Sequence, residues 1–501
     1  MLNNSETSIF FILLIAFAVI IWGFNRGRKF GKLGILAWLQ SVVLMAPWLL
    51  FFALFAMGIY LNLIGIIVLI ISSIGGYIAI SKRLKAEGAD LLLKEKASQK
   101  LENQEILTSE KVEEKTKKET SVNRPEDIFL PIPQEDLQII KGIFGIDTFF
   151  ATETISYQEG AIFRGNLRGE ADKVHQELTE KLQSKLGEKY RLFLVESNEG
   201  KPVIIILPSS NDPKKSGTSQ KILALFLMIA TVFATLEAAG FLLGFELTQS
   251  WWRYQETLPL AIGIFVVLAL HEIGHLYFAK QYNVKLSLPF FIPNWQIASF
   301  GALNRFESLI PSRTGLFDIA FAGPAMGGIT SLLMLCTGLL LSHEGSQFQI
   351  PSNVLQGSIL VGSLAKIFLG DVVHNAVVDV NPLMIIGWLG LVITSLNLLP
   401  AGQLDGGRIV QAIYGRKTAR KSTIITLIIL GVIALFNPAN PIPLYWLIII
   451  LFLQRTLERP SLNEITEPDD ARAAYALLAL FLMLATLIPL TPSLAGSLGI
   501  G

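Results

Sequence analysis

The chain has 501 residues, a formal net charge of +1, 51% hydrophobic residues and one cysteine, with a mean hydropathy of +0.52. Apolar residues gathered in long unbroken runs point to an integral membrane protein rather than a string of soluble domains. Balanced charge gives no field for nucleic acid, and the lone Cys336, set in an apolar run, excludes an intrachain disulfide and a thiolate metal cluster.

The first apolar run, Ile9–Phe24, has no basic segment before it and no small-residue cleavage site after it. A retained span is expected there rather than a leader, in a bacterial-type membrane, plasma or thylakoid. Further spans are expected near 34–56, 58–80, 222–246, 258–279, 315–341, 383–400, 422–437, 442–454 and 471–490, about ten in all, several shorter than the ~20 residues a bilayer core requires. Lys and Arg gather in Asn25–Lys32, Ser81–Lys221, Ala279–Arg313, Gly415–Lys421 and Gln454–Arg472, while the intervening loops carry almost none. That alternation predicts cytoplasmic basic loops and both termini on the opposite side.

Four regions are expected: N-terminal spans (1–81), a charged linker (82–127), a small cytoplasmic α+β domain (128–208) and a membrane core (222–490). The linker is rich in Lys and Glu and can bury little. In 128–208, Pro133 opens an amphipathic stretch through Ile143, followed by an extended Thr148–Asn166, a helix near Ala171–Gly187, and strands at Tyr190–Glu196 and Pro202–Leu207. That order suggests a split βαβ arrangement. His175 reads as a surface histidine on a polar helix.

Chemistry enters at His271-Glu272-Ile273-Gly274-His275, directly after the apolar run Leu258–Leu270. Histidines four apart on a helix share one face, so both imidazoles reach one metal, with Glu272 on the adjacent face as a general base. Ionisable groups in a span cost about 2–3 kcal/mol each to insert, which favours a compensating metal over a chance pattern. Gly274 lets a neighbouring helix approach. A catalytic zinc keeps three protein ligands, and the helix-breaking segment from Asn397 through Pro400 to Asp405-Gly-Gly407 offers Asp405 on the same cytoplasmic side.

H-E-x-x-H in one span and N-x-x-P-x-x-x-L-D-G-G in a later one resemble the site-2 protease family of intramembrane zinc metalloproteases, over about 222–490. Phe321-Ala-Gly323-Pro324-Ala325, after Asp318, resembles that family's small-residue span. Gly165-Asn-Leu-Arg-Gly169 narrows the resemblance to its plastid and cyanobacterial branch, which includes the ethylene-dependent gravitropism-deficient and yellow-green proteins. The resemblance implies Zn2+ bound by His271, His275 and Asp405, with Glu272 as the catalytic base. Asn397 is implied as a polar contact to the substrate carbonyl or oxyanion. It also implies hydrolysis of membrane-protein substrates within a lipid bilayer, by zinc-activated water.

Other polar groups carry weaker expectations. Glu237 faces a cavity or pairs with a neighbour; Asp371, His374 and Asp379 form a second His/Asp cluster, expected as a solvated loop; His343 fits an interfacial place. Leu286–Asn304, apolar and broken by Pro, is expected as a re-entrant or interfacial hairpin offering an edge strand to an unwound substrate, with Asn304 a candidate for its backbone. The fold expected is thus an all-α polytopic membrane protein with a small cytoplasmic α+β domain inserted before its catalytic core. The rival readings are a transporter, disfavoured by the lack of internal repeats, a catalytically inactive scaffold, and a membrane zinc protease with a Glu-bearing helix, for which no E-x-x-x-D helix follows His275.

Overall fold

The computed structural model describes residues 132–490 except 158–159, 198, 438–439 and 455, together with 20–56 less 22 and 29–30, and scattered residues from 65 to 84. A 26-residue apolar helix, α1 (Gly31–Ala56), belongs to one compact unit; all elements below belong to a second, formed by Asp127–Phe436 and Asn440–Gly501. The spans expected at 9–24 and 58–80 fall mostly outside the described residues.

The second unit begins as an α+β region. Helix α2 (Gln134–Lys141) buries Leu137 and Ile140, and its first turn is closed by Leu137 N–H on the Pro133 carbonyl. The extended stretch read as one is two antiparallel strands, β1 (Phe149–Tyr157) and β2 (Gly160–Leu167), reversing between Tyr157 and Gly160. Helix α3 (Ala171–Leu186) buries Val174, Leu178 and Leu182, one stripe at fourfold spacing. Strands β3 (Tyr190–Glu196) and β4 (Pro202–Pro208) complete a sheet of order β1-β2-β4-β3. Both β2 and β3 are antiparallel to β4, so they run parallel on either side of it, joined through α3. This is the split βαβ arrangement.

The sheet and its helices share a core of Phe163, Leu178, Leu192, Leu194, Ile204 and Ile206. His175 is not the surface residue expected: it is half-buried, with Nε2 3.3 Å from the Leu192 carbonyl. Burial, only partly offset by that carbonyl and by Asp172, pushes its pKa below the ordinary 6.5.

A helical core follows in α4 (Thr218–Leu242) and α5 (Tyr254–Gln281). The hairpin of β5 (Phe290–Asn294) and β6 (Ala298–Leu303) occupies the segment expected as re-entrant. Next come α6 (Arg313–Leu340), a second hairpin of β7 (Phe348–Pro351) and β8 (Val377–Val380) with α7 (Ile359–Leu369) between its strands, and α8 (Pro382–Asn397). Helix α9 (Asp405–Phe436) absorbs the span expected at 422–437 and is kinked at Gly415, φ +77°. Then follow α10 (Ile442–Ile449), continued as a wider turn to Gln454, and α11 (Asp470–Leu487).

Among the described residues five helices are long and apolar enough to cross a membrane, four of them α4, α6, α9 and α11, the fifth α5 with the turn before it. The 383–400 and 442–454 segments are shorter apolar helices. Helix α6 packs against α5, α8 and α9, which places it at the centre of the core.

Main-chain bonds join the α+β region to this core. The edge residue Leu194 donates to the Leu462 carbonyl at 2.8 Å and accepts from Glu464 N–H at 2.9 Å. The same short segment donates from Leu462 to the Ile310 carbonyl and from Asn463 to Pro311, just ahead of α6. A sheet edge is a row of unpaired donors and acceptors, and 462–464 covers this one.

Candidate metal centre

Helix α5 carries His271 and His275 one turn apart, with ring centroids separated by 4.9 Å. At Gly274 an added Cβ would lie 2.5 Å from the Ala322 carbonyl oxygen, so glycine alone lets α6 lie directly against the motif. That approach brings the Ile319 carbonyl to 2.7 Å from His275 Nδ1. A histidine that donates one ring N–H to a carbonyl presents the other nitrogen as a ligand of fixed direction.

Asp405 opens α9, where a carboxylate is favoured by the helix N-terminus. The turn that delivers it needs Gly402, whose φ is +54° and whose α-carbon faces the Gln454 main chain too closely for a side chain. Asp405 Oδ2 then lies 3.1 Å from His271 Nε2 and 3.4 Å from His275 Nε2. The three ligand atoms fall within 4.8 Å of one another and all three residues are buried. Donors on one tetrahedral zinc, at bond lengths near 2.0–2.1 Å, sit about 3.4 Å apart. Two imidazoles and a carboxylate at these separations fit the three protein ligands of a catalytic zinc.

Glu272, also buried, accepts from Asn304 Nδ2 at 2.6 Å. Asn304, a candidate contact for the substrate backbone in the sequence, places its amide on the candidate base. Asn304 is in turn held through its carbonyl by Arg408 Nη2 at 2.5 Å. Arg408 is buried one turn after Asp405, with Nη1 3.9 Å from Asp405 Oδ1, and its Nε and Nη2 bond Glu458 Oε2 at 3.2 and 3.0 Å. One guanidinium thus touches the loop behind Glu272, the carboxylate beside the histidines, and a carboxylate from a third segment. Sequence reasoning missed Arg408 and Glu458. The spacing of Arg408 from Asp405 offered a signal; nothing near Glu458 did.

Asn397, at the end of α8, is buried, and its Nδ2 donates to the Phe300 carbonyl at 3.2 Å and the Ile393 carbonyl at 2.9 Å. It ties β6 to α8. Glu237 pairs with a neighbour, accepting from Thr248 N–H at 3.1 Å. In the second His/Asp cluster, Lys366 Nζ lies 3.1 Å from Asp371 and 3.2 Å from His374 Nε2, while Asp379 accepts from Gly345 N–H. Among the described residues His271, His275 and Asp405 are the group whose donors converge.

The profile of peptidase family M50 matches residues 259–436, and that of the EGY3 middle domain matches 138–213. The chain is 35% identical over 375 residues to a probable zinc metalloprotease EGY2, chloroplastic, of Arabidopsis thaliana, covering 72% of this chain and 66% of that protein. It is 36% identical over 347 residues to the EGY2 protein of Oryza sativa subsp. japonica, covering 68% and 63%. To the probable zinc metalloprotease EGY1, chloroplastic, of Arabidopsis thaliana it is 35% identical over 404 residues, 73% of each.

The chain belongs to peptidase family M50.

It spans about two thirds of the length of the EGY2 proteins it matches. No solved structure matches it. His271, Glu272, His275, Asn397, Asp405 and Arg408 all fall inside the M50 match, whereas Glu458 lies beyond its end. The relatives are named zinc metalloproteases, and the buried His-His-Asp group fits the metal in that name.

Proposed function

We propose that this chain is an intramembrane zinc metalloprotease, hydrolysing peptide bonds in or near transmembrane segments of other membrane proteins. The observation that carries this reading is the buried convergence of His271, His275 and Asp405 beside Glu272, on helices that include candidate spans, in a member of family M50. His271, His275 and Asp405 would hold the zinc, which would supply the Lewis acidity that activates water near neutral pH and polarises a scissile carbonyl. Glu272 takes the proton from that water and passes it to the leaving amine. The Asn304 amide on Oε2 fixes the carboxylate and leaves its second oxygen to accept the proton.

Asn397 is assigned to the substrate carbonyl or oxyanion. Its amide already donates to Phe300 and Ile393, so that role requires exchanging one of these carbonyls for the substrate. A helical substrate must unwind before attack, and the β5–β6 hairpin offers an edge to the unwound strand. The alternation of basic loops supports a cytoplasmic-facing site and α+β domain, with division near 81, 127 and 208, and about ten spans in all. The resemblance to the plastid and cyanobacterial branch supports a thylakoid or plasma membrane.

The test is cleavage of a single-span reporter by the purified chain in proteoliposomes. Glu272→Gln removes the base and keeps the donors, so turnover should fall roughly a thousandfold with zinc still bound. Undiminished turnover would remove Glu272 from the chemistry.

A further inference from the structure

Two cavities meet between the α+β region and the loops of the membrane core. The larger, about 250 Å³, is walled on one side by Phe193 and Val195 of β3 and Ile205 and Leu207 of β4. The smaller, about 120 Å³, is lined by Phe306, Gln403 and Glu458, with Lys214 and Arg305 at its border. Leu309, Arg459 and Pro460 line both, so the two form one groove.

Its inner end reaches the catalytic apparatus. Gln403 stands two residues before Asp405, Phe306 two residues after Asn304, and Glu458 holds Arg408. Its outer end is the second face of the sheet. An antiparallel sheet with one packed face and one solvated face alternates apolar and polar residues. Here Leu192 and Leu194 enter the core while Phe193 and Val195, pointing the other way, are also apolar; Ile204 and Ile206 alternate with Ile205 and Leu207 in the same manner. This second face is already partly covered by the chain's own loops: Phe193 and Val203 are buried, and Val195, Ile205 and Leu207 are half-buried along the groove.

Charge gives the groove a direction. At the inner end Lys214 and Arg305 are exposed and make no ion pair among the described residues, while Arg459 donates to the Asn211 carbonyl. The carboxylate at that end, Glu458, is already held by Arg408. The inner end therefore carries net positive charge, with Glu307 the carboxylate in electrostatic contact with Arg305, and the outer end is apolar sheet flanked by basic (Arg191, Arg416) and acidic (Glu196, Asp212, Glu464) side chains.

We propose that this groove docks the extended juxtamembrane segment of the substrate, with apolar side chains on the β3–β4 face and an acidic side chain between Lys214 and Arg305. It rests on the proteolytic reading above for the word substrate; docking itself is measurable without cleavage. The α+β region then selects which proteins are cleaved, through the sequence that flanks the membrane.

The probe is a short fluorescent peptide of alternating valine and serine with two aspartates at one end, beside a twin carrying lysines there. Anisotropy is read on the full chain in nanodiscs, as wild type and as Glu272→Gln. The aspartate peptide should bind about tenfold more tightly than its twin, and Lys214→Glu with Arg305→Glu should reverse that order, since exposed pairs contribute modestly but additively. Ile205→Asp should weaken both peptides, whereas Phe150→Asp, on the far strand of the sheet, should weaken neither. Equal binding of the twins, or a preference unchanged by the charge reversal, overturns the proposal even if Ile205→Asp misfolds. Binding seen only after deletion of residues 86–126 also overturns it, because the chain's own segment would then be the occupant. Normal docking with no reporter cleavage counts against the proteolytic reading alone; normal cleavage with no docking counts against this groove alone.

Discussion

Two clusters in this molecule draw on the same residue types and come to opposite ends. His271, His275 and Asp405 are buried, arrive from two helices more than a hundred residues apart in sequence, and direct three donor atoms to one point. Asp371, His374 and Asp379 are close in sequence, yet their side chains turn to Lys366 and to a backbone N–H, and Asp371 is almost fully exposed. Residue type does not make a metal centre. Burial, a fixed ring direction such as the Ile319 carbonyl gives His275, and a turn that delivers the third donor do.

The largest test of that contrast is removal of either helix histidine. His271→Ala or His275→Ala should abolish both zinc content and reporter cleavage; metal analysis showing zinc unchanged in both would move the centre elsewhere. Asp405→Asn comes next. It keeps the shape of the turn and loses the charge that balances the metal, so zinc affinity and cleavage should fall by about 10- to 100-fold. A helix cap, by contrast, would tolerate Asn, because Asn and Asp cap about equally well.

Arg408→Lys keeps the buried charge and loses the fork that joins Asn304, Asp405 and Glu458. We expect about a tenfold loss of cleavage with zinc retained. A loss of zinc as large as that of Asp405→Asn would make Arg408 chiefly a partner of the ligand, not of Glu272.

The half-buried His175 is an intermediate case. Burial lowers its folded pKa, so its contribution to stability is complete above the unfolded value near 6.5 and is lost as pH falls from there through the folded value. Hydrogen exchange in α3 should therefore quicken below that pH, and His175→Gln should flatten the response. The smallest effect belongs to His374→Ala, which should leave zinc content and turnover at wild-type levels.

Much of this was legible because the sequence states it locally. The two histidines and Glu272 are fixed by helix periodicity, and the apolar run before them raises the cost of an accidental match. The α+β elements announced themselves through alternation and turn residues, apart from the reversal between Tyr157 and Gly160, where the sequence Gln158-Glu159 does not break the extended pattern. What stayed hidden depends on distant segments meeting. Arg408 reads as an ordinary basic residue after a helix start until Glu458 arrives, and Asn304 reads as free until it is seen against Glu272. His175 looked exposed because its helix is polar, and only the sheet behind it supplies the carbonyl it meets.

The main-chain seam at residues 462–464 has a consequence for how the protein is made. Asp172 and Asn463, which bond within it, are 291 residues apart. On the ribosome the α+β region emerges early, and its β3 edge stays open until the last core loop has been synthesised and inserted. An uncovered strand edge is a template for wrong pairings. Covering this edge therefore requires the chain through Glu464, and a chain that ends before that segment leaves the β3 edge without these main-chain partners.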